Sequence, residues 1–231
     1  MDLLESLIDV LKINSKFQSN TKNINDGKLE IKSWYFSDSF VFVMKSSKNN
    51  QNLSQLFLII RFLQDRFWEN GFCFRGAITL GEMYYPDKDE NVLLGNGIVE
   101  AYKLECEVAI YPRIVVDEKV YEIIKEEDLQ GYPFGSRETK LKDSIKKDKD
   151  GVYFLDLLNK NILRPKNEKI ESNSKYFSIV WCKEKENESN LSYIRKKVNK
   201  IINENSQQYN HNLKIKQKYE WLKAYLKETK V

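Results

Sequence analysis

Apolar residues recur every three or four positions in four segments of the chain, and this spacing predicts amphipathic helices. These segments are residues 3–13, 53–67, 190–203 and 214–227. A further helix is predicted to open at Gly95, and another to follow Asp117, whose side chain can cap the free amide groups of a first turn. Helices therefore account for much of the chain.

Shorter apolar and aromatic runs between these segments predict strands. Residues 29–36 and 40–44 flank a polar turn at Asp38, which is the pattern of a β-hairpin. Residues 125–150 are predicted to be a charged loop, and residues 159–175 to be irregular. Three more strands are predicted at residues 72–80, 114–116 and 152–155. Strands and helices of both kinds together indicate an α+β fold.

The composition supports a folded chain and argues against several classes of function. Of the 231 residues, 41% are hydrophobic, which is enough to bury a sizeable core. The net charge of +4 comes from interleaved acidic and basic residues, whereas a nucleic-acid-binding protein usually concentrates its basic charge. The single histidine, His211, lies in a polar segment, and the three cysteines lack the spacing of a zinc or redox motif. Histidine or zinc chemistry is therefore not expected.

The sequence also bears on where the protein works. No stretch approaches the roughly 20 apolar residues that a membrane-spanning helix needs. The first residues lack the basic, apolar and small-residue pattern of a signal peptide. We therefore expect a cytoplasmic protein without direct membrane contact.

Three segments follow the hairpin in an order that is typical of one protein family. They are a strand ending in glycine (RGAITLG, residues 75–81), a glycine-opened helix (LGNGIVEAYKLE, 94–105) and a short strand (YPRIVVD, 111–117). Together with Phe-Ser-Asp-Ser at the hairpin tip, they resemble the class III nucleotidyl cyclases. Within that superfamily these motifs are most similar to those of the pyrimidine cyclases of bacterial Pycsar anti-phage systems. The resemblance is good over residues 29–120 and looser beyond them.

The resemblance implies an architecture as well as a reaction. The fold would be a class III cyclase-like mixed, mostly antiparallel sheet with helices packed on one face and the dimer cleft at the other. Residues 1–158 would form the catalytic domain, and residues 159–231 an extension whose two helices pack on it. The reaction would convert UTP or CTP into the 3′,5′-cyclic monophosphate and pyrophosphate.

Cyclases of this class use two Mg²⁺ or Mn²⁺ ions per site, which carboxylate oxygens hold. Asp38 matches the metal-binding Asp at the hairpin tip of the family. The second metal-binding Asp of the family lies on a first strand that reads Ile-Asp-x-Leu-Gly-Phe. Here the only comparable run is Leu-Ile-Asp-Val-Leu around Asp9, which lacks the Gly-Phe and is also typical of an exposed helix position. We therefore expect either that the usual first strand is missing or that the first metal ligand has been lost.

Fixed positive charge must stabilise the phosphate under attack. Lys103 stands where the family has an arginine on the glycine-opened helix, whereas Val99 stands where the family has an asparagine. A lysine keeps the charge but loses the planar fork of an arginine. Arg75 and Arg113 are the alternative catalytic cations, although an arginine beside a strand is also typical of a structural ion pair.

Four residues are candidates for binding the rest of the nucleotide. Lys146 and Lys147 precede Gly-Val-Tyr-Phe, as the lysine that binds the terminal phosphates does in the family. Trp34 and Tyr35 lie on the strand that leads to the hairpin tip, where purine cyclases commonly place a polar residue that reads the base. A large aromatic ring there favours a smaller pyrimidine base through stacking, and a core or dimer-interface position is the alternative interpretation.

The resemblance also implies partners. The active sites would form between two copies of the chain, and the cyclic nucleotide would activate a separate cyclic-nucleotide-binding effector. A purine cyclase is the first alternative. A homologue that binds nucleotide without catalysis is the second, because the first metal ligand is not evident. A nucleic-acid-binding or scaffold protein that uses the lysines of the last two helices is the third.

Overall fold

A computed structural model describes residues 31–36, 39–45, 51–84, 92–126, 140–159 and 190–229. The predicted helix at residues 3–13, both metal-ligand candidates Asp9 and Asp38, and nearly all of the predicted irregular segment lie outside these residues. The side chain of Tyr35 also lies outside the described part.

The predicted hairpin is formed by two antiparallel strands, β1 (Ile31–Phe36) and β2 (Ser39–Met44). Phe36 is opposite Ser39 and Ile31 is opposite Met44, so two residues, Ser37 and Asp38, connect the strands. The β-branched and aromatic residues of both strands favour this extended pairing.

The hairpin is followed by the long helix α1 (Gln51–Glu69), which agrees with the apolar periodicity of this segment. Its buried face includes Phe57, Ile60 and Leu63. The helix ends at Glu69, and Gly71, two residues later, has a φ of 87°, a left-handed conformation that glycine adopts without steric cost.

A four-stranded sheet forms the centre of the fold, with strand order β3-β4-β6-β5. Strands β3 and β4 are parallel, whereas the β4–β6 and β6–β5 pairs are antiparallel. The fold of the described residues is thus α+β with a mixed sheet. The elements are β3 (Gly76–Ile78), α2 (Asn96–Lys103) with a π-helical turn (Leu104–Val108), β4 (Ile114–Val116), α3 (Glu118–Glu126), β5 (Ile145–Lys147) and β6 (Tyr153–Leu155).

Two predictions from the apolar pattern need correction. The segment predicted to be a charged loop contains a 3₁₀ turn (Leu141–Ser144) and strand β5. Strand β5 has one apolar residue among its three, so its stability comes from pairing with β6 and not from a pattern visible in its own sequence. Strand β3 is shorter than predicted because only Gly76–Ile78 pair with β4.

The helices α4 (Asn190–Gln208) and α5 (Leu213–Glu228) close the chain. Strand β6 contributes to two apolar clusters, since Leu155 packs with α1 and α3 whereas Phe154 packs with α4 and α5. Successive side chains of a strand point to opposite faces of the sheet, so helices contact both faces. Helices α1 and α3 pack at Leu155 on one face of the sheet, and α4 and α5 pack at Phe154 on the other.

Helix α1 also buries a polar side chain that lacks hydrogen bonds. Gln64 is 1% exposed, and within the described part of the chain neither atom of its amide has a partner. An unsatisfied buried polar group costs about 1–3 kcal/mol.

Among the described helices, none is long and apolar enough to cross a membrane.

We expect Gln64→Met to raise the free energy of unfolding by about 1 kcal/mol, because it keeps the side-chain shape and removes the unsatisfied amide. Urea unfolding measures the change. Gln217→Met, at an exposed position of α5, is the control and should change the stability little. A loss of stability in Gln64→Met would mean that the amide has a partner and would contradict the prediction.

Candidate functional site

Two glycine-containing segments meet at the centre of the candidate site. A Cβ atom on Gly81 would lie 2.4 Å from the Cα of Gly97, and one on Gly95 would lie 2.2 Å from the carbonyl oxygen of Glu82. The side chain of Asn96 accepts a hydrogen bond from the backbone amide of Glu82 over 2.7 Å. The end of the β3 segment and the start of α2 are therefore in backbone contact, which only glycine permits at these positions.

Beside this contact two short segments run antiparallel, and we call residues 80–84 and 92–94 the arm. Tyr84 and Leu94 form an isolated β-bridge with two backbone hydrogen bonds, of 2.7 and 3.0 Å. Large apolar side chains on the arm and on the neighbouring helix α2 are exposed, and such a patch is typical of an interaction surface. These side chains are Leu80, Tyr84, Val92, Leu94, Val99 and Tyr102.

Behind the arm, strand β3 is tied to helix α3. The hydroxyl of Thr79 donates to Asp117 Oδ2 over 2.6 Å, and the backbone amide of Asp117 donates to the carbonyl oxygen of Ile78. The other carboxylate oxygen of Asp117 accepts from the amide of Lys119, so Asp117 also caps α3 as predicted. This carboxylate is thus used for structure.

Arg113 is the most buried cation among the predicted site residues, with 1% of its side chain exposed. Its guanidinium donates to Asp148 and, through Nη2 over 2.5 Å, to Asp150. The indole of Trp221 on α5 donates to the same oxygen of Asp148 over 2.6 Å. The ring of Tyr111 stacks on Trp221 with the ring centroids 5.5 Å apart. These five residues join β4, the β5–β6 turn and α5, and we call them the arginine cluster.

The arginine cluster lowers the pKa of one of its carboxyl groups, that of Asp150. Burial by itself would raise the pKa of Asp150, but hydrogen bonds from Arg113 and from the backbone amide of Val152 outweigh it, so the pKa lies below its ordinary value. Asp150 is therefore held as a carboxylate that balances the guanidinium.

Arg75 lies directly beside Arg113, since the residues that follow them, Gly76 and Ile114, are opposite each other in the parallel β3–β4 pair. Its Nε is 2.6 Å from Glu105 Oε1, and its Nη1 donates to the carbonyl oxygen of Ala109 over 3.2 Å. Arg75 is about one-third exposed. Arg113 Nη2 donates to the carbonyl oxygen of Val108 over 3.4 Å, so both arginines bind the end of the π-helical turn and already have carboxylate partners.

Lys103 is the predicted catalytic cation that is available to a ligand. It lies at the end of α2 and is exposed. Within the described part of the chain it forms no ion pair. An exposed ammonium group that forms no ion pair with the described carboxylates remains available to a polyphosphate.

Lys146 and Lys147 are neighbours on β5 and point to opposite faces of the sheet. Lys146 lies on the α5 side, where its ammonium is 2.7 Å from Glu228 and 6.0 Å from the ring of Tyr225. Lys147 lies over the ring of Tyr153 at 4.8 Å. Only one of these two lysines can therefore face any single ligand site.

Among the candidate residues of the hairpin, Trp34 is the one whose side chain the structure describes. Trp34 is half-buried on β1 and is opposite Val41. Tyr35 is described by its backbone, which pairs with Phe40, and Asp38 and Asp9 lie outside the described residues. The ring of Phe40 contacts Phe67 of α1 edge-on, with centroids 6.2 Å apart, so the hairpin packs on α1.

The described residues do not supply a metal centre of their own. Among them, no group of three or more His, Cys, Asp or Glu side chains could hold a metal ion. Both carboxylates that the resemblance implies for the two-ion centre, Asp38 and Asp9, lie outside the described residues, so the expected Mg²⁺ or Mn²⁺ stays a prediction from the sequence.

Sequence reasoning missed the roles of Asp148, Asp150 and Trp221. The run Lys-Lys-Asp-Lys-Asp before Gly151 has the composition of a solvated turn, and Trp221 lies on the apolar face of a helix. A buried arginine needs carboxylate partners, and this was the one signal that could have led to the two aspartates.

Comparison of the chain with protein-family models, with curated proteins and with solved structures gives no match. What the site does must therefore be inferred from its residues and their geometry.

Proposed function

We propose that the chain is a nucleotidyl cyclase similar to class III, which converts UTP or CTP into the 3′,5′-cyclic monophosphate and pyrophosphate. The observation that carries the proposal is the contact of Gly81 with Gly97. Two of the segments by which the sequence resembles the family, residues 75–81 and 94–105, are thus in direct contact in the fold. The hairpin with Asp38 at its connection packs on α1, in the same domain.

In the proposed reaction the 3′-oxygen of the nucleotide attacks its own α-phosphorus. The bond from the 3′-oxygen to phosphorus forms, the bond from phosphorus to the β-bridging oxygen breaks, and pyrophosphate leaves with that oxygen. The proton of the 3′-hydroxyl passes to water. Bound Mg²⁺ or Mn²⁺, two per site and held by Asp38 with a second ligand, would supply positive charge to the reacting oxygens.

Lys103 is the residue of the described part to which we assign the charge that stabilises the pentavalent phosphate. It is exposed, and no described carboxylate pairs with it. Arg75 and Arg113 would reach a phosphate only by leaving Glu105, Asp148 and Asp150. In this proposal the two arginines therefore fix the positions of β3, β4 and the π-helical turn.

A second copy of the chain completes the proposed site. The exposed apolar patch of the arm and α2, which includes Tyr84, Leu94 and Tyr102, supports self-association. The arm belongs to the same backbone contact as the start of α2, which places the patch on the helix that carries Lys103. We propose a homodimer in a cytoplasmic signalling role, whose product acts on a separate cyclic-nucleotide-binding effector in anti-phage defence.

Trp34 and Tyr35 are proposed to favour a pyrimidine base over a purine. A purine cyclase would need a polar side chain that reads the base, and β1 offers a half-buried tryptophan at that position.

Incubation of the purified chain with each of the four ribonucleoside triphosphates and Mn²⁺, followed by chromatography and mass measurement, tests the proposal. We expect cyclic UMP or cyclic CMP. Cyclic AMP or cyclic GMP as the main product would contradict the assignment of the base. Nucleotide binding without any cyclic product would favour a non-catalytic homologue. The sequence supports that alternative in one respect, because it shows no clear match to the first metal-binding Asp.

A further inference from the structure

One carboxylate bridges two lysines at the end of the last helix. Glu228 Oε2 lies 2.7 Å from Lys146 Nζ, and Glu228 Oε1 lies 3.5 Å from Lys149 Nζ. The hydrogen bond from Lys146 is the main reason why the pKa of Glu228 lies below its usual value. Glu228 thus occupies, with both of its oxygens, the position that an anion would take between the two lysines.

This carboxylate is not placed there by its own helix. Glu228 is the last residue of α5, where the helix dipole disfavours negative charge. The two lysines therefore hold the side chain against the preference of the helix. The pair is also exposed to solvent, and exposed ion pairs are weak, so a polyanion can displace the carboxylate.

The end of α5 is fixed independently of Glu228. The hydroxyl of Tyr225 donates to Asp156 over 2.6 Å and accepts from the amide of Leu158. Burial, together with the neighbouring Asp156, raises the pKa of Tyr225 well above its usual value, so the phenol stays protonated. Trp221 holds the helix to Asp148 one turn earlier. Changing Glu228 therefore frees the lysines without releasing the helix.

We propose that Glu228 is an autoinhibitory carboxylate that occupies Lys146 and Lys149 until the phosphates of a nucleotide displace it. This inference rests on the proposed function, for which the sequence offers Lys146 and Lys147 as candidates for binding the terminal phosphates. Lys147 points to the other face of the sheet and takes no part. The C-terminal helix thus sets how tightly the β5–β6 turn binds an anion.

The test compares Glu228→Gln with Glu220→Gln. Glu220 is an exposed glutamate of the same helix, and its substitution removes the same charge. Binding of inorganic triphosphate is measured by calorimetry at low, constant ionic strength. We expect Glu228→Gln to bind about two- to fivefold more tightly than the unchanged chain, and Glu220→Gln to bind as the unchanged chain does. Lys146→Gln added to Glu228→Gln should remove the gain, whereas Lys147→Gln should not.

Equal effects of the two glutamate variants, or no effect of either, would overturn the inference. Thermal unfolding of each variant confirms that α5 stays docked. Because inorganic triphosphate cannot be cyclised, its binding reports on the lysines alone. A gain in Glu228→Gln without cyclic product from any nucleotide would overturn the proposed function and leave the anion site standing. Cyclic product without this gain would overturn the autoinhibition only.

Discussion

Arg113→Met is expected to lower the free energy of unfolding by about 3 kcal/mol, the low end of the cost of breaking a buried ion pair. The substitution leaves Asp148 and Asp150 without their guanidinium, and Asp148 would then keep only the Trp221 indole and the backbone amide of Lys149 as donors among the described residues. The low end applies because Asp150 is 40% exposed and water can solvate it. Urea unfolding followed by circular dichroism measures the loss.

Arg75→Met is the matched control for this prediction. It breaks a pair with Glu105 that is about one-third exposed on both sides, and such pairs contribute about 1 kcal/mol or less. Equal losses in the two variants would contradict the role given to the arginine cluster, because burial would then make no difference.

The pH dependence of stability gives the same prediction a second readout. The pKa of Asp150 is lower in the folded state than in the unfolded chain. The folded state is therefore stabilised above the unfolded pKa of about 4, and this contribution is lost as the pH falls through the folded pKa. In Arg113→Met the hydrogen bond that lowers the pKa is gone, so the acid-dependent loss of stability should be smaller than in the unchanged chain.

Gly95→Ala is expected to lower the free energy of unfolding by about 3 kcal/mol, through steric overlap and backbone strain together. The new Cβ would lie 2.2 Å from the carbonyl oxygen of Glu82 and 2.9 Å from the Cα of Met83, and neither backbone atom can move away alone. The φ of 147° at Gly95 is also one that alanine rarely adopts. Urea unfolding measures the loss, and self-association measured by sedimentation should weaken as the arm is displaced.

Gly71→Ala separates the two causes. Gly71 also has a positive φ, of 87°, but a Cβ there would meet nothing within 4 Å among the described atoms. It should cost about 1 kcal/mol, which is the price of the left-handed conformation alone. If Gly95→Ala costs no more than Gly71→Ala, the close contact between the two glycine-containing segments is not rigid, and the observation that carries the proposed function fails.

The sequence predicted the elements whose own residues specify them. The periodicity of α1, α4 and α5 predicted three helices within a few residues of their observed ends. The hairpin followed from two aromatic and β-branched runs around a short polar turn. Local pattern was enough in these cases because each element carries its apolar face or turn within one continuous segment.

Features that depend on distant partners could not be predicted in this way. Strand β5 forms because β6 pairs with it. That its two lysines point to opposite faces of the sheet follows from this pairing and not from their own sequence. Arg113 was a candidate for phosphate binding, and its two carboxylates come from a turn 35 and 37 residues away. The pairing of Lys146 with Glu228 spans 82 residues. Such contacts arise from tertiary packing, which no local spacing encodes.

The central claim is that this chain cyclises a pyrimidine nucleotide by means of the carboxylate at its hairpin tip. The most direct measurement is the yield of cyclic UMP and cyclic CMP from UTP and CTP with Mn²⁺, for the unchanged chain, for Asp38→Ala and for Ser39→Ala. Ser39 is exposed beside the hairpin connection and serves as the control. We predict product from the unchanged chain and from Ser39→Ala, and none above the protein-free blank from Asp38→Ala. Undiminished product from a folded Asp38→Ala variant would contradict the claim.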